Sequence, residues 1–311
     1  MDGALIIDKP AGLTSHDVVA RVRKIIGERR VGHTGTLDPF ATGVLVILVG
    51  RATRLAQFLS GAEKEYEAVI RFGYGTDTGD VTGTRAADFT TETQRRTEIH
   101  GEEIEDALAV FRGEVEQTPP MYSAKKVGGQ KLYELARRGE EVERKPVRVT
   151  ISEFECTSHH GEPMKSNDDG TQDLKVRVVC SAGTYIRTLA EDLGRKLGAG
   201  AHLAELRRTR AGEFRIADAI TLAQLSELAK SSSLSQLLIS PGATLAHLPA
   251  VDLNANDVRR VMNGLDIQPE ETTWPTGQAV RLRDSSGDLI AVGIYDHALK
   301  LVHPQVVIGN S

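Results

Sequence analysis

One loop and the strand behind it restrict the fold more than any other part of the chain. The run Val44-Leu45-Val46-Ile47-Leu48-Val49 is apolar and rich in β-branched residues, so it reads as a buried strand. In front of it stands Gly32-His33-Thr34-Gly35-Thr36-Leu37-Asp38-Pro39-Phe40-Ala41-Thr42-Gly43, a polar loop punctuated by glycines. Pro39 fixes its own φ and pushes Asp38 toward extended backbone. A short carboxylate is thereby held in a defined place before a rigid element. Such a group suits a nucleophile or a base. Loop chemistry alone does not separate this from an aspartate that only shapes a turn or caps a helix.

The rest of the chain mixes strands and helices without a regular βαβ rhythm, which points to an α+β class. Ala4–Asp8 reads as a strand and Asp8–Gly12 as a turn. Ser15 is placed to cap a helix carrying Val18, Val19, Val22, Ile25 and Ile26 at helical spacing, closed near Gly27. Further helices are expected over Arg51–Leu59, Glu102–Phe111, Lys131–Arg138 and Thr184–Leu197. Further strands are expected over Tyr66–Phe72, Val147–Phe154, Leu174–Ser181, His202–Arg207 and Glu213–Ile216. The long polar stretch His159–Gln172 reads as a mobile loop. Residues 229–242, rich in serine, read as a linker between a large domain (1–228) and a small β-rich module (243–311). In that module Asp284-Ser285-Ser286-Gly287 marks a hairpin.

Composition closes off several classes. No apolar segment approaches the roughly 20 residues needed to span a bilayer, and no secretory leader is visible after Met1-Asp2-Gly3. Cys156 and Cys180 form no disulfide framework, and Cys156 with His159 and His160 fits no zinc spacing. A reduced, cytoplasmic protein is expected. Gly73–Gly79 only superficially matches a dinucleotide loop, because its third glycine is displaced and no helix pattern follows. No metal and no cofactor are therefore expected. The net charge of −5 averages over unequal segments. His16–Arg54 holds 7 basic and 3 acidic residues, Arg112–Arg148 holds 9 and 6, and Leu206–Arg215 adds four arginines. These stretches are either solvated helix faces or one face for phosphates.

The Gly32–Gly43 segment resembles the catalytic loop of the TruB family of tRNA pseudouridine synthases. The resemblance runs in order along about 230 residues. It includes Asp8-Lys9-Pro10-Ala11-Gly12-Leu13-Thr14-Ser15, Lys64-Glu65-Tyr66, Thr76-Asp77-Thr78-Gly79-Asp80 and Pro120-Met121-Tyr122-Ser123-Ala124-Lys125. Gly183-Thr184-Tyr185-Ile186-Arg187-Thr188, Gly200-Ala201-His202-Leu203 and Leu206-Arg207-Arg208 complete it. The resemblance implies a mixed, largely antiparallel central sheet with flanking helices. It implies Asp38 as catalytic carboxylate, Tyr66 stacked on the target base, and Arg187 paired with the aspartate. Tyr185 and Leu206 would line the base pocket, His33 would fill space left by displaced bases, and Lys9 would lie beside the site. Residues 121–148 resemble an RNA-gripping thumb, with Lys125, Lys126, Lys131, Arg137 and Arg138 available for phosphates, as Arg207 and Arg208 would be. The C-terminal module would be a PUA-like domain.

The implied reaction breaks N1–C1′ of uridine 55 in the tRNA T loop and rejoins C5 to C1′. The uracil leaves and returns within one site, so no cofactor is needed. A monomer that needs no protein partner is expected. Two alternatives stay open at this level: a guide-dependent synthase of the same superfamily, and a tRNA-folding chaperone.

Overall fold

The computed structural model describes residues 1–86, 99, 101–123, 125–140, 142–157, 164–231, 234–270 and 273–309. Strand β1 (Gly3–Lys9) leads into helix α1 (Ser15–Ile26). The cap of α1 is Thr14 rather than Ser15: its hydroxyl accepts from Asp17 N, while the Asp17 carboxylate accepts from Thr14 N. Gly27 ends the helix in the left-handed conformation. Freed from capping, the buried Ser15 hydroxyl bonds both backbone groups of Leu37, next to Asp38.

Next come β2 (Val31–His33) and β3 (Thr42–Val49). A 3-10 turn (Gly50–Leu55) and the single turn α2 (Ala56–Leu59) replace the expected continuous helix. After β4 (Lys64–Phe72), α3 (Gly101–Ala109) and β5 (Gly113–Gln117), the thumb-like stretch holds β6 (Lys126–Val127), β7 (Gln130–Lys131) and α4 (Leu132–Ala136). Then follow β8 (Val147–Cys156), β9 (Met164–Ser166), β10 (Gln172–Cys180), α5 (Ile186–Leu197), β11 (Ala201–Ala211) and β12 (Phe214–Arg215).

These strands build one mixed sheet in the order β1-β3-β11-β4-β10-β8-β5, with β2 on β3, β12 on β11 and β9 on β10. Every pairing is antiparallel except β3 with β11, parallel at Arg207↔Thr42 and Arg208↔Gly43. One face is covered by α3 and α5, whose Ile104, Leu108, Leu189 and Leu193 pack on Ile70, Phe72, Leu174 and Val176. Near β1 and β3, α1 packs Val18, Val19 and Val22 on Leu5, Ile7, Leu45 and Ile47.

Part of the segment expected to be a mobile loop is ordered as a hairpin. β8 pairs with β10 only from Val176 onward, which leaves Gln172–Leu174 free to take β9. The turn between β9 and β10 is closed by Asn167 N to Thr171 O at 2.9 Å. The remainder, 159–163, lies outside the described residues.

Helices α6 (Leu222–Lys230), α7 (Leu234–Leu237) and α8 (Pro241–Thr244) connect to the second sheet. The stretch expected as a linker folds back on β1, where Ala4 and Ile239 exchange two backbone hydrogen bonds of 2.9 Å. The second sheet joins β13 (Ala250–Asp252), β14 (Ala279–Arg283), β15 (Leu289–Asp296) and β16 (Leu301–Val307), with α9 (Ala255–Met262) packed on it. Leu289, Val292, Val306 and Ile308 share one apolar cluster with Ala4, Val44, Val46 and Leu48.

Candidate active site

The loop between β2 and β3 is held by buried polar groups from distant elements. Where β3 enters the sheet, Gly43 has φ +101°, and a Cβ there would lie 2.2 Å from the carbonyl oxygen of Arg208. Only glycine fits so close an approach in this conformation. Arg208, buried on β11, donates from Nε to Val44 O at 2.7 Å and from Nη2 to Gly35 O at 3.1 Å. Lys9 is fully buried, and its ammonium donates to Pro10 O (2.9 Å), Leu13 O (2.6 Å) and Pro39 O (3.1 Å). Burial brings the Lys9 ammonium down to about 8, with Asp38 opposing.

Lys9, expected beside the site, spends its N–H groups on carbonyls of the turn after β1 and on Pro39 O, and Arg208, expected at a phosphate, donates to carbonyls of the loop and of Val44. They hold Asp38 in place from behind. Ser15 does the same through Leu37.

Asp38 faces Arg187 in a two-point contact, with Nε to Oδ2 at 2.9 Å and Nη2 to Oδ1 at 3.1 Å. The guanidinium is 5% exposed, whereas the carboxylate is 32% exposed, so the acid looks outward and its partner does not. The remaining Arg187 donors reach Thr78 O at 2.9 Å and Tyr122 O at 2.7 Å. The buried Asp80 lies 3.8 Å from the same guanidinium, held by Thr78 and Thr82. Burial raises the Asp38 carboxyl above its ordinary value, Arg187 pulls it down, and Asp80 pushes it up.

Asp38 opens into a cavity of about 240 Å³ whose walls include Tyr66, Tyr185, Leu206, Ser123 and Lys64. Thus Asp38, Arg187, Tyr66, Tyr185 and Leu206, widely separated along the chain, come together. Tyr66 stands on β4 and Leu206 on β11, the neighbouring strand. Burial raises the Tyr66 phenol above its ordinary value, with Arg208 opposing. His33 does not line this cavity. It is half-buried, edge-on to His16 at 5.4 Å, and burial brings its imidazole down to about 4.

Gln117, at the end of β5, escaped the sequence reading. Its side chain accepts from Tyr185 N at 3.0 Å and donates to Tyr185 O at 3.3 Å, fixing the start of α5 just before Arg187. No local signal marks it, because its partner is 68 residues away. Asp80 and Lys64 were visible within quoted motifs but carried no role.

The expected phosphate contacts divide. Lys126, Arg137 and Arg138 are exposed on the thumb-like stretch, although Arg138 pairs with Glu140 at 3.0 Å. Lys125 is half-buried, and the side chain of Lys131 lies outside the described residues. Arg207 is engaged by Asp8 at 2.8 Å. Among the described residues, no group of His, Cys, Asp and Glu is placed to hold a metal, and no helix is long and apolar enough to cross a membrane.

Comparison with known proteins follows the same lines. Residues 23–186 match the N-terminal domain of TruB family pseudouridylate synthases, and residues 187–245 match the tRNA pseudouridylate synthase B C-terminal domain. The tRNA pseudouridine synthase B of Solibacter usitatus is 43% identical over 309 residues, covering 99% of this chain and 100% of that protein. The protein of the same name from Geobacillus thermodenitrificans is 46% identical, covering 85% of each chain. Among solved structures, an H/ACA RNP bound to a substrate RNA containing 2′-deoxyuridine superposes with a TM-score of 0.73 at 26% identity, covering 99% of this chain and 85% of that one. A Cbf5-Nop10-Gar1 complex gives 0.72 at 27%, covering 99% and 84%.

Proposed function

This chain belongs to the TruB family of pseudouridylate synthases, and from that premise we propose that it acts on the T loop of tRNA, at uridine 55, with Asp38 as the essential carboxylate. It is a tRNA pseudouridine synthase, an isomerase. The observation that carries the assignment of Asp38 is its outward-facing carboxylate, clamped at two points by a buried arginine beneath a base-sized cavity.

The target uridine must leave the folded arm to reach that cavity. Flipping it out costs a few kcal/mol, offset by stacking and phosphate contacts. Tyr66 and Leu206 offer the base a flat ring and an apolar wall. With the base seated, Asp38 acts by attack on C1′, by attack on C6, or by removing the C2′ proton as the N1–C1′ bond breaks, which leaves a glycal. Each route needs the ionised form. Arg187 favours that form by charge pairing, against the raising effect of burial.

Exposed Lys126, Arg137 and Arg138 are the proposed phosphate contacts of the thumb, and the second sheet is the proposed PUA-like module. We take the enzyme to be a cytoplasmic monomer that needs no protein partner. Its relatives at 43% and 46% identity are named tRNA pseudouridine synthase B, whereas the H/ACA RNP and the Cbf5-Nop10-Gar1 complex are more distant at 26% and 27%.

The test is tritium release from C5-labelled uridine in a T-arm RNA, with purified wild type and Asp38→Asn. Wild type alone is expected to release tritium, and not when cytidine replaces the target. Asp38→Asn keeps the shape and loses the charge, so turnover falls by more than about a thousandfold while RNA binding persists. Near-wild-type turnover by this variant would refute the role of Asp38.

A further inference from the structure

Two cavities meet at a pair of buried cations. Gly35, Lys64 and Arg208 bound the cavity that contains Asp38. The same three residues bound a second cavity of about 340 Å³, walled also by Thr34, Arg210, Phe214 and the carboxylates Glu63 and Glu213. Lys64 and Arg208 therefore form part of the boundary shared by the cavity at Asp38 and its neighbour.

Lys64 is 7% exposed. Its ammonium donates to Ser60 O at 2.7 Å and to Ala62 O, which leaves one of its three N–H groups free. Among the described residues no carboxylate pairs with it. Its sequence neighbour Glu63 is taken by Arg210 at 2.8 Å and Ser152 at 3.1 Å. Its other neighbour, Glu65, is taken by Thr209 at 2.8 Å and Arg177 at 3.4 Å. Arg208 is satisfied by carbonyls and adds a second uncompensated charge. Burial, with Arg208 beside it, brings the Lys64 ammonium down to about 8. A buried cation without a counter-charge costs stability, and an incoming anion removes that cost.

We propose that Lys64 seats a phosphodiester of the substrate RNA, the linkage between the target uridine and one adjoining nucleotide, which then enters the second cavity. This rests on the reading of the chain as a tRNA pseudouridine synthase. A ribose held at Asp38 brings a phosphate on each side, and the strand must leave the base cavity somewhere. The wall that carries these two cations is the one whose charge complements that of the strand. The free N–H of Lys64 supplies a charge-assisted hydrogen bond to a phosphate oxygen. Arg187 cannot do this, since its donors are spent on Asp38, Thr78 and Tyr122.

The experiment uses the full-length chain and a T-arm RNA in which a neutral methylphosphonate replaces, one at a time, the linkage on either side of the target uridine. Single-turnover tritium release and filter binding are read for wild type, Lys64→Met and Lys64→Arg. One neutral linkage is expected to weaken wild-type kcat/KM about tenfold, the size of one charged hydrogen bond. Lys64→Met should lose a similar factor on natural RNA and nothing more on the neutral linkage, since both changes remove one interaction. Lys64→Arg should stay within a few-fold of wild type and remain sensitive to the neutral linkage. Wild type indifferent to both replacements overturns the seat, whether or not Lys64→Met folds. So do losses that multiply in Lys64→Met, which would turn the ammonium toward a uracil carbonyl. If wild type releases no tritium from natural RNA, the isomerase reading fails, and the binding arm still decides the seat.

Discussion

Asp38 and Arg187 make the clearest case for what single residues contribute. Burial raises the Asp38 carboxyl above its ordinary value of 3.8, and Arg187 is the strongest influence in the other direction. The ionised acid is the active form, so kcat/KM of the wild type should rise with pH through an apparent pKa above that value. Removing the cation removes the lowering influence. Arg187→Gln should therefore move this acid limb further upward and lower kcat at neutral pH, as a pH–rate profile by tritium release would record. A limb left in place would mean that Arg187 does not set the ionisation of Asp38. His33 and Lys9 show the opposite relation between residue and site. Both stand within or beside quoted motifs, yet His33 lies off the cavity and Lys9 points its charge into the backbone.

At the scale of elements, the junction of β3 and β11 decides where the loop can go. It is the parallel pairing in an otherwise antiparallel sheet, and it places Gly43 against Arg208. Gly43→Ala puts a methyl group into the Arg208 backbone at a φ that alanine rarely adopts. The expected loss is about 3 kcal/mol, read as a lower midpoint in urea, with turnover falling as the loop shifts. Much of this element was legible in advance. The β-branched run announced β3, and Pro39 with three glycines announced a shaped loop. The parallel partner was not legible, because Arg207 and Arg208 pair with residues about 165 positions earlier (Thr42 and Gly43). Likewise β9 formed where polarity suggested a loop, since a free edge of β10 was available to pair with it.

The whole molecule carries a net charge of −5 and still acts on a polyanion, so the arrangement of charge counts for more than its sum. The exposed cations Lys126 and Arg137 are carried by the thumb-like stretch, whose Tyr122 carbonyl also meets Arg187. Replacing both with alanine should weaken T-arm binding. It should also flatten the dependence of log K on log salt by about one unit per cation. Turnover at saturating RNA should hold, because neither residue lines the base cavity. An unchanged salt slope in filter binding would remove them from the phosphate contacts. The second sheet belongs to the same body as the first: Leu289, Val292 and Val306 complete a cluster with β1 and β3, and Arg51 links Asp2 to Gly309 O.

The sequence by itself determined the family, the glycine-punctuated loop that carries Asp38 and the mixed α+β class. Each of those is written in local spacing or in ordered motifs. Only the tertiary structure decided how each charge is solvated. Lys9, Lys64, Arg208 and Lys126 are all simply cations in a one-dimensional reading. Folding buries the first three against backbone carbonyls and leaves the fourth in solvent. Solvation is set by neighbours far away along the chain, and solvation decides whether a cation is spent on backbone carbonyls or stays open at the surface.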